Sequence, residues 1–324
     1  MSIAPLSRRF AAAVLLTPLS LAACGSHPAE TPTVHSSNNI APASSGTVAA
    51  AAPCPVAPVN VVVSVDQWGD LVSELGGQCA TVKTVLASSS VDPHDYEPSP
   101  ADAALFTGAR LVVINGAGYD SWASKLAATS AQNTPVVDAG KVNSTAEGAN
   151  PHLWYSPSAV TAVADAVTAE LTNLEPKAAN YFHNQRAALT TALNPYNELL
   201  TKIKTAASGK SYAATETVFD YQAQALGLVN KTPSGYQSAS ANESDPSPAD
   251  IADFTTVLAG HQIDVLIFNT QTEGSIPEQI RTAAQRAGVP VVDVTETVPP
   301  GVTSFETWQD AQLIALGKAL GVNF

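Results

Sequence analysis

Short, uninterrupted apolar runs alternate with amphipathic helical patterns over most of this chain, and this alternation restricts the fold more than any other feature. The first run, residues 59–65, is β-branched throughout most of its length, and a helical pattern over residues 68–75 follows it and stops at two glycines. Strands that are apolar on both faces are typical of a parallel sheet covered by helices on each side. The sequence therefore predicts an α/β fold.

A long helical stretch divides the alternation into two halves. Residues 175–206 would span about 45 Å at about 1.5 Å per residue, which is longer than one small lobe needs. Pro195 lies within this stretch and predicts a kink or an early break. We expect two lobes, each with a mostly parallel sheet flanked by helices, joined by one long helix, with the ligand cleft between the lobes. The predicted divisions are an N-terminal lobe at 59–175, a connecting helix at 176–207 and a C-terminal lobe at 208–324, with strands at 59–65, 81–86, 110–115, 135–138, 211–214, 265–268 and 289–294.

Residues 1–23 have the features of an export signal. Arg8 and Arg9 precede an apolar stretch at 11–21 that is too short to span a bilayer stably. The stretch ends in Leu-Ala-Ala followed by Cys24, which matches the bacterial lipobox, so we predict that Cys24 is lipidated and becomes the new N-terminus. The alternative is an ordinary signal peptide with a chance cysteine. Either interpretation places the mature chain outside the cytoplasm, and the first anchors it to the membrane.

Residues 24–58 are predicted to form the lipidated cysteine and a flexible tether. This segment is rich in Ala, Ser, Pro and Thr and has no apolar periodicity, so it would bury too little area to offset the entropy of ordering it. Cys54 and Cys79 remain after Cys24 is lipidated, and outside the reducing cytosol we expect them to pair. The alternative is two unpaired buried thiols.

Charge composition excludes one class of partner. The 324 residues include 15 basic and 28 acidic side chains, for a net charge of −13. Such a balance argues against a surface that binds nucleic acid.

Two histidines stand directly behind prolines in the loops that follow predicted strands. His94 lies in the segment DPHDYEP and His152 in NPHLWY. Proline fixes φ and restricts its predecessor, so each imidazole sits on a stiffened loop, as a preorganised metal ligand requires. The alternative for each is a loop histidine whose nitrogens are hydrogen bonded.

Two glutamates follow predicted strands in the second half. Glu216 comes after the strand at 211–214, and Glu296 after the strand at 289–294. Two imidazoles and two carboxylates suit a first-row divalent cation. The alternative for each glutamate is a charge at a helix N-terminus that interacts with the helix dipole.

Taken in order, these segments resemble a known family: the metal-binding solute receptors of ABC importers for zinc and manganese. The resemblance covers about residues 59–324, and the segments DPHDYEP and PHLW are its most specific part. It implies that His94, His152, Glu216 and Glu296 coordinate Mn²⁺ or Zn²⁺, the transported ligand, in the cleft between the lobes. It further implies a monomeric receptor that catalyses no reaction and delivers the ion to a permease in the membrane.

Two departures from the family pattern bear on the metal. Zinc receptors usually carry a third histidine where this chain has Glu216, whereas manganese receptors carry a glutamate, which favours manganese. The fourth ligand is commonly an aspartate, so Asp293, on the same strand, is a rival to Glu296. Zinc binds a given site of nitrogen and oxygen donors more tightly than manganese does, so the physiological metal stays open.

Two other functions are compatible with a secreted two-lobed chain. A metallohydrolase is the first, but the sequence contains neither an HExxH motif nor a Gly-x-Ser-x-Gly elbow. A receptor for an organic solute is the second, and it would place several aromatic side chains or arginines in the cleft.

Overall fold

The computed structural model describes residues 53–87, 96–242, 244–272 and 274–324. Strands and helices alternate along the described residues, as the sequence predicts. The strands are β1 (Val59–Val65), β2 (Ala80–Leu86), β3 (Leu111–Ile114), β4 (Val136–Asp138), β5 (Ser211–Ala214), β6 (Val229–Asn230), β7 (Val265–Asn269) and β8 (Val291–Val294). The helices are α1 (Asp66–Gly76), α2 (Pro100–Thr107), α3 (Ser121–Ser130), α4 (Ala139–Val142), α5 (Pro157–Leu174), α6 (Ala179–Ala192), α7 (Asn194–Ala207), α8 (Asp220–Leu226), α9 (Ser234–Ala241), α10 (Pro248–Ala259), α11 (Ser275–Ala287) and α12 (Phe305–Ala319).

The strands form two sheets with the same topology. The N-terminal lobe contains the sheet β2-β1-β3-β4, and the C-terminal lobe contains the sheet β6-β5-β7-β8. Every adjacent pair is parallel, with register Val61↔Leu111 in the first sheet and Ala213↔Leu266 in the second. The predicted fold of two α/β lobes with parallel sheets is confirmed, and the lobes repeat one plan.

The central strands are apolar on both faces because helices cover both faces. Every residue of β7 is buried, and β1 is buried except at Asn60. Strands of this kind cannot carry charged side chains without a large desolvation cost, so polar chemistry is displaced to the loops at their ends.

Local sequence signals fix where two of the helices begin. Ser99 before α2 and Ser247 before α10 each accept a hydrogen bond from the backbone N–H three residues later, 3.3 Å in both cases. Asp102 and Asp250 reach back to the N–H of the capping serine, at 2.7 and 3.0 Å. This reciprocal capping satisfies backbone donors that a helix N-terminus otherwise leaves unpaired.

The connecting segment is helical over most of its predicted length, and the break expected from Pro195 is present. Two helices of 14 residues each, α6 and α7, meet at Leu193. Pro195 lies in the first turn of α7, where its missing N–H removes no intrahelical bond. Helix α6 packs on α1 and α5 in the N-terminal lobe, and α7 packs on α12 in the C-terminal lobe.

Among the helices of the described residues, none combines the length and apolar character that a bilayer span requires.

Cys54 and Cys79 form a disulfide with a Cα–Cα distance of 5.1 Å. Cys79 follows α1 and is fully buried, while Cys54 lies just before β1. The bridge fastens the segment that enters the first strand to the far end of the first βα unit.

Replacing Cys54 with serine should lower the free energy of unfolding by about 3 kcal/mol, because the bridge closes a chain segment with a sequence separation of 25 residues. Urea denaturation of the wild type and the variant, each with and without a reductant, measures this. A reductant that leaves the wild-type midpoint unchanged under conditions that break the disulfide would contradict the prediction.

Helix α1 of the N-terminal lobe contacts helix α12 of the C-terminal lobe. Acidic residues cluster at this contact: Asp66, Asp70 and Glu74 on α1 and Glu306 and Asp310 on α12. Burial raises the pKa of Glu74 to about 7, and the neighbouring Glu306 and Asp70 add to the rise. Burial also raises the pKa of Asp66 to about 6, with a further contribution from Asp70. The ionised cluster therefore opposes the packing of α1 on α12.

Replacing Glu74 with glutamine should raise the melting temperature at pH 8 and leave it nearly unchanged at pH 5. The folded pKa, about 7, lies above the ordinary value of 4.5, so the free-energy cost of ionising the carboxyl in the folded state builds up as the pH rises from about 4.5 to about 7 and is present in full at pH 8. Because Glu74 is half-exposed to solvent, we expect a gain of only about 1 kcal/mol. Exposed Glu198 on α7, changed to glutamine, is the matched control. A gain of equal size at both pH values would contradict the mechanism.

Candidate metal centre

A cavity of about 270 Å³ opens where the two lobes meet. Its N-terminal-lobe wall includes Pro151 and His152, and its C-terminal-lobe wall includes Glu216, Thr217 and Glu296. Both glutamates follow the carboxyl ends of strands, β5 and β8, which is where parallel sheets place ligand-binding side chains. Three of the four residues that sequence predicts as ligands therefore line one cavity. The fourth, His94, lies outside the described residues.

His152 is held on a rigid loop and is only 8% exposed. Its Nδ1 lies 2.7 Å from Asn150 Oδ1, and its Nε2 lies 3.5 Å from Glu296 Oε1. Asn115, at the end of β3, donates a 2.9 Å hydrogen bond to the carbonyl oxygen of Pro151 and so fixes the loop to the sheet. The imidazole thus presents one edge to a protein acceptor and the other edge to the cavity.

Aromatic side chains pack against the ring of His152. The indole of Trp154 lies edge-on at 5.3 Å between ring centroids, and the phenol of Tyr119 at 6.2 Å. Both aromatic side chains are fully buried. This packing restricts rotation of the imidazole and excludes water from its back.

Glu216 reaches the cavity from the loop after β5. Asn269, at the end of β7, donates a 2.5 Å hydrogen bond to Oε2. Burial raises the pKa of the Glu216 carboxyl; the Asn269 bond counteracts the rise and the charge of Glu296 adds to it. The carboxylate is therefore oriented by a neutral amide, and the nearby imidazole of His152 also acts to lower its pKa.

Glu296 is held by residues of both lobes. Its backbone N–H and that of Thr297 both donate to Gln271 Oε1, at 2.5 and 2.9 Å. Its carbonyl oxygen accepts a 3.0 Å hydrogen bond from Gln67 Nε2, which belongs to α1 of the N-terminal lobe. Burial and the nearby Glu296 carboxylate raise the pKa of Tyr119, so its hydroxyl stays protonated and is hydrogen bonded to that carboxylate.

Asp293, the rival to Glu296, points away from the cavity. It is exposed on β8 and accepts a 3.1 Å hydrogen bond from Arg281 Nη2. The structure therefore places Glu296, and not Asp293, beside His152.

The three described candidates do not form a finished coordination sphere. In the described parts of the chain, no three His, Cys, Asp or Glu side chains lie close enough together to hold a metal ion as they stand.

The residues that orient the candidates, Asn150, Asn269, Gln271 and Tyr119, were not identified from the sequence. Asn269 could have been, since it ends an apolar strand, and Glu216 and Glu296 follow the ends of two others.

The fold and the cavity define a two-lobed binding protein whose polar side chains meet between parallel sheets. A family model described as the periplasmic zinc-uptake complex component A matches residues 61–319. The chain belongs to this family.

Individual relatives are distant. The high-affinity zinc uptake system protein ZnuA of Bacillus subtilis is 24% identical over 215 residues, 60% of this chain and 66% of the relative. The manganese-binding lipoprotein MntA of Halalkalibacterium halodurans is 27% identical over 140 residues, 40% of this chain and 45% of the relative. Each alignment spans less than two thirds of the relative.

A solved structure supports the fold. The substrate-binding protein FpvC of Pseudomonas aeruginosa, in complex with Mn²⁺, superposes with a TM-score of 0.68 at 20% identity, over 82% of this chain and 98% of that one. At this identity the likeness establishes the architecture alone.

Proposed function

We propose that this protein is an extracytoplasmic receptor that binds Mn²⁺ or Zn²⁺ between its lobes and delivers the ion to an ABC permease for import. The observation that carries the proposal is one imidazole and two carboxylates lining a single inter-lobe cavity, in a member of the zinc-uptake component family. The zinc and manganese relatives support the same class of ion.

The spacing of His152 and Glu296 suits two ligands of one ion. Two donors about 2.1 Å from a tetrahedral metal are about 3.4 Å apart, and Nε2 and Oε1 are separated by 3.5 Å. Glu216 approaches from the same cavity, and we assign His94 as the fourth ligand by its place in the DPHDYEP segment. Ion binding would draw these donors together and neutralise two adjacent carboxylates.

Binding, and not catalysis, fits this donor set. Four protein ligands leave little room for an activated water, for which catalytic zinc sites normally keep an open position. Among the described residues that line the cavity, none is an arginine and His152 is the only aromatic ring. That lining does not favour a receptor for an organic solute.

We also propose how the chain is organised for this role. Residues 1–23 direct export, Cys24 carries the lipid anchor, and residues up to 58 tether the receptor to the membrane. The lobes at 59–175 and 208–324, joined by the segment 176–207, then reach a permease as a monomer. All residues before 53 lie outside the described part of the chain.

The site proposal predicts opposite outcomes for two carboxylates on one strand and its exit loop. Replacing Glu296 with glutamine should abolish most of the rise in melting temperature that Mn²⁺ or Zn²⁺ causes in the wild type, because a ligand at about 1,000 times its Kd adds about 4 kcal/mol to stability. Replacing Asp293 with asparagine should leave that rise intact. Thermal denaturation with and without each metal measures both.

A metal-induced rise in melting temperature that is equal in the two variants, or that is lost only in the Asp293 variant, would contradict the site proposal. A wild-type protein whose melting temperature does not respond to either metal would refute the receptor function itself.

Glu216 should also influence which metal is preferred. Replacing Glu216 with histidine substitutes a nitrogen for an oxygen donor, and imidazole suits zinc better than it suits manganese. The ratio of the zinc to the manganese association constant should therefore rise. Competition titrations with a calibrated chelator measure the ratio, and an unchanged ratio would remove Glu216 from the coordination sphere.

A further inference from the structure

We propose that the Asn150 side chain is a positioning residue for His152: its amide fixes the imidazole tautomer that turns a free Nε2 toward the cavity, and it ties that ring to the loop that carries Glu216. The expected effect on metal affinity rests on the proposed function. The tautomer of His152 and the hydrogen bond to the Glu216 loop do not depend on it.

The orientation of the Asn150 amide follows from two independent partners. Its Nδ2 donates a 2.8 Å hydrogen bond to the carbonyl oxygen of Thr217, which can only accept. Its Oδ1 lies 3.0 Å from the backbone N–H of His152, which can only donate. With the amide flipped, Oδ1 would face the Thr217 carbonyl oxygen, an acceptor against an acceptor, and Nδ2 would face the His152 backbone N–H, a donor against a donor. Only one orientation of the amide therefore satisfies both partners.

This orientation determines where His152 carries its proton. The same Oδ1 lies 2.7 Å from His152 Nδ1, and an amide oxygen can only accept. Nδ1 therefore bears the hydrogen in the neutral ring, and Nε2 carries the lone pair that faces Glu296. Without this acceptor the imidazole is free to protonate Nε2, where the hydrogen would block a metal ion.

The amide also joins the two lobes at the site. Thr217 directly follows Glu216 in the C-terminal lobe, whereas Asn150 and His152 belong to the N-terminal lobe. Tyr221, on α8, donates a second inter-lobe bond of 2.8 Å to the backbone carbonyl of Asn150. One side chain therefore couples the tautomer of the imidazole to the position of the loop that carries a carboxylate.

Replacing Asn150 with alanine tests the first role. Long-range ¹H–¹⁵N NMR of the metal-free protein at about pH 8, well above the ordinary pKa of free imidazole, should show Nδ1–H for His152 in the wild type and a shift toward Nε2–H in the variant. Affinity for Mn²⁺ and Zn²⁺ should fall by about 10- to 100-fold, as is typical when the partner of a ligating histidine is removed.

Replacing Asn150 with aspartate separates the two roles. A carboxylate still accepts from Nδ1–H and from the backbone N–H, but it cannot donate to the Thr217 carbonyl. The wild-type tautomer should persist, while peptides covering residues 148–155 and 215–221 exchange their amide hydrogens faster. This variant also keeps the test decisive if the alanine variant fails to fold.

Tyr221→Phe is the matched control, because it removes the other inter-lobe bond to Asn150 without touching the imidazole. Its His152 tautomer should be that of the wild type. An alanine variant that retains Nδ1–H or wild-type affinity, or an aspartate variant with unchanged exchange, would overturn the inference. If the wild type binds neither metal but the His152 tautomer shifts as expected in the alanine variant, the proposed function is contradicted. The positioning of His152 by Asn150 is then still supported.

Discussion

The site depends on one constraint: in a parallel sheet all strands end at the same edge. Both sheets of this protein are parallel across every adjacent pair, so the loops that can carry polar groups gather at one edge of each lobe. Glu216 after β5 and Glu296 after β8 arrive side by side for this reason. The buried strands between them exclude charge, which concentrates the chemistry in the cavity.

The electrostatics of the cavity favour a cation. Two carboxylates and a histidine are oriented by neutral partners: Asn150 holds His152, Asn269 holds Glu216, and Gln271 holds the backbone of Glu296. Amides satisfy hydrogen bonds without adding charge, so the negative charge of the carboxylates is left for a ligand to neutralise. The acidic cluster between α1 and α12 differs from this site, because burial and mutual repulsion raise its pKa values and it opposes the packing of the lobes.

Much of the fold was predictable because its signals are local. Apolar runs located the central strands, and Pro195 indicated the break between α6 and α7. Helices α4 and α9 and the two-residue strand β6 were missed, since such short elements give little periodicity. The family pattern alone leaves both Asp293 and Glu296 as candidates, although strand alternation distinguishes them. Val292 and Val294 are buried, so the residue between them faces the opposite side of β8.

The partners of the candidate ligands could not be predicted, because the contacts are distant in sequence. Gln67 and Glu296 are 229 positions apart, and Asn150 and Thr217 are 67 apart. Their meeting depends on how the lobes pack, which no local pattern encodes. Only the rule that parallel strands place ligand-binding loops at their carboxyl ends applies to residues so far apart in sequence, and it locates loops, not individual hydrogen bonds.

The central claim is that His152, Glu216 and Glu296 share one ion. Anomalous diffraction from crystals of the metal-loaded protein, recorded at the manganese or zinc absorption edge, tests it most directly. We expect one peak in the inter-lobe cavity, within about 2.0–2.2 Å of His152 Nε2 and of an oxygen from each glutamate. A peak elsewhere, or one that leaves any of these three side chains more than about 4 Å away, would contradict the account.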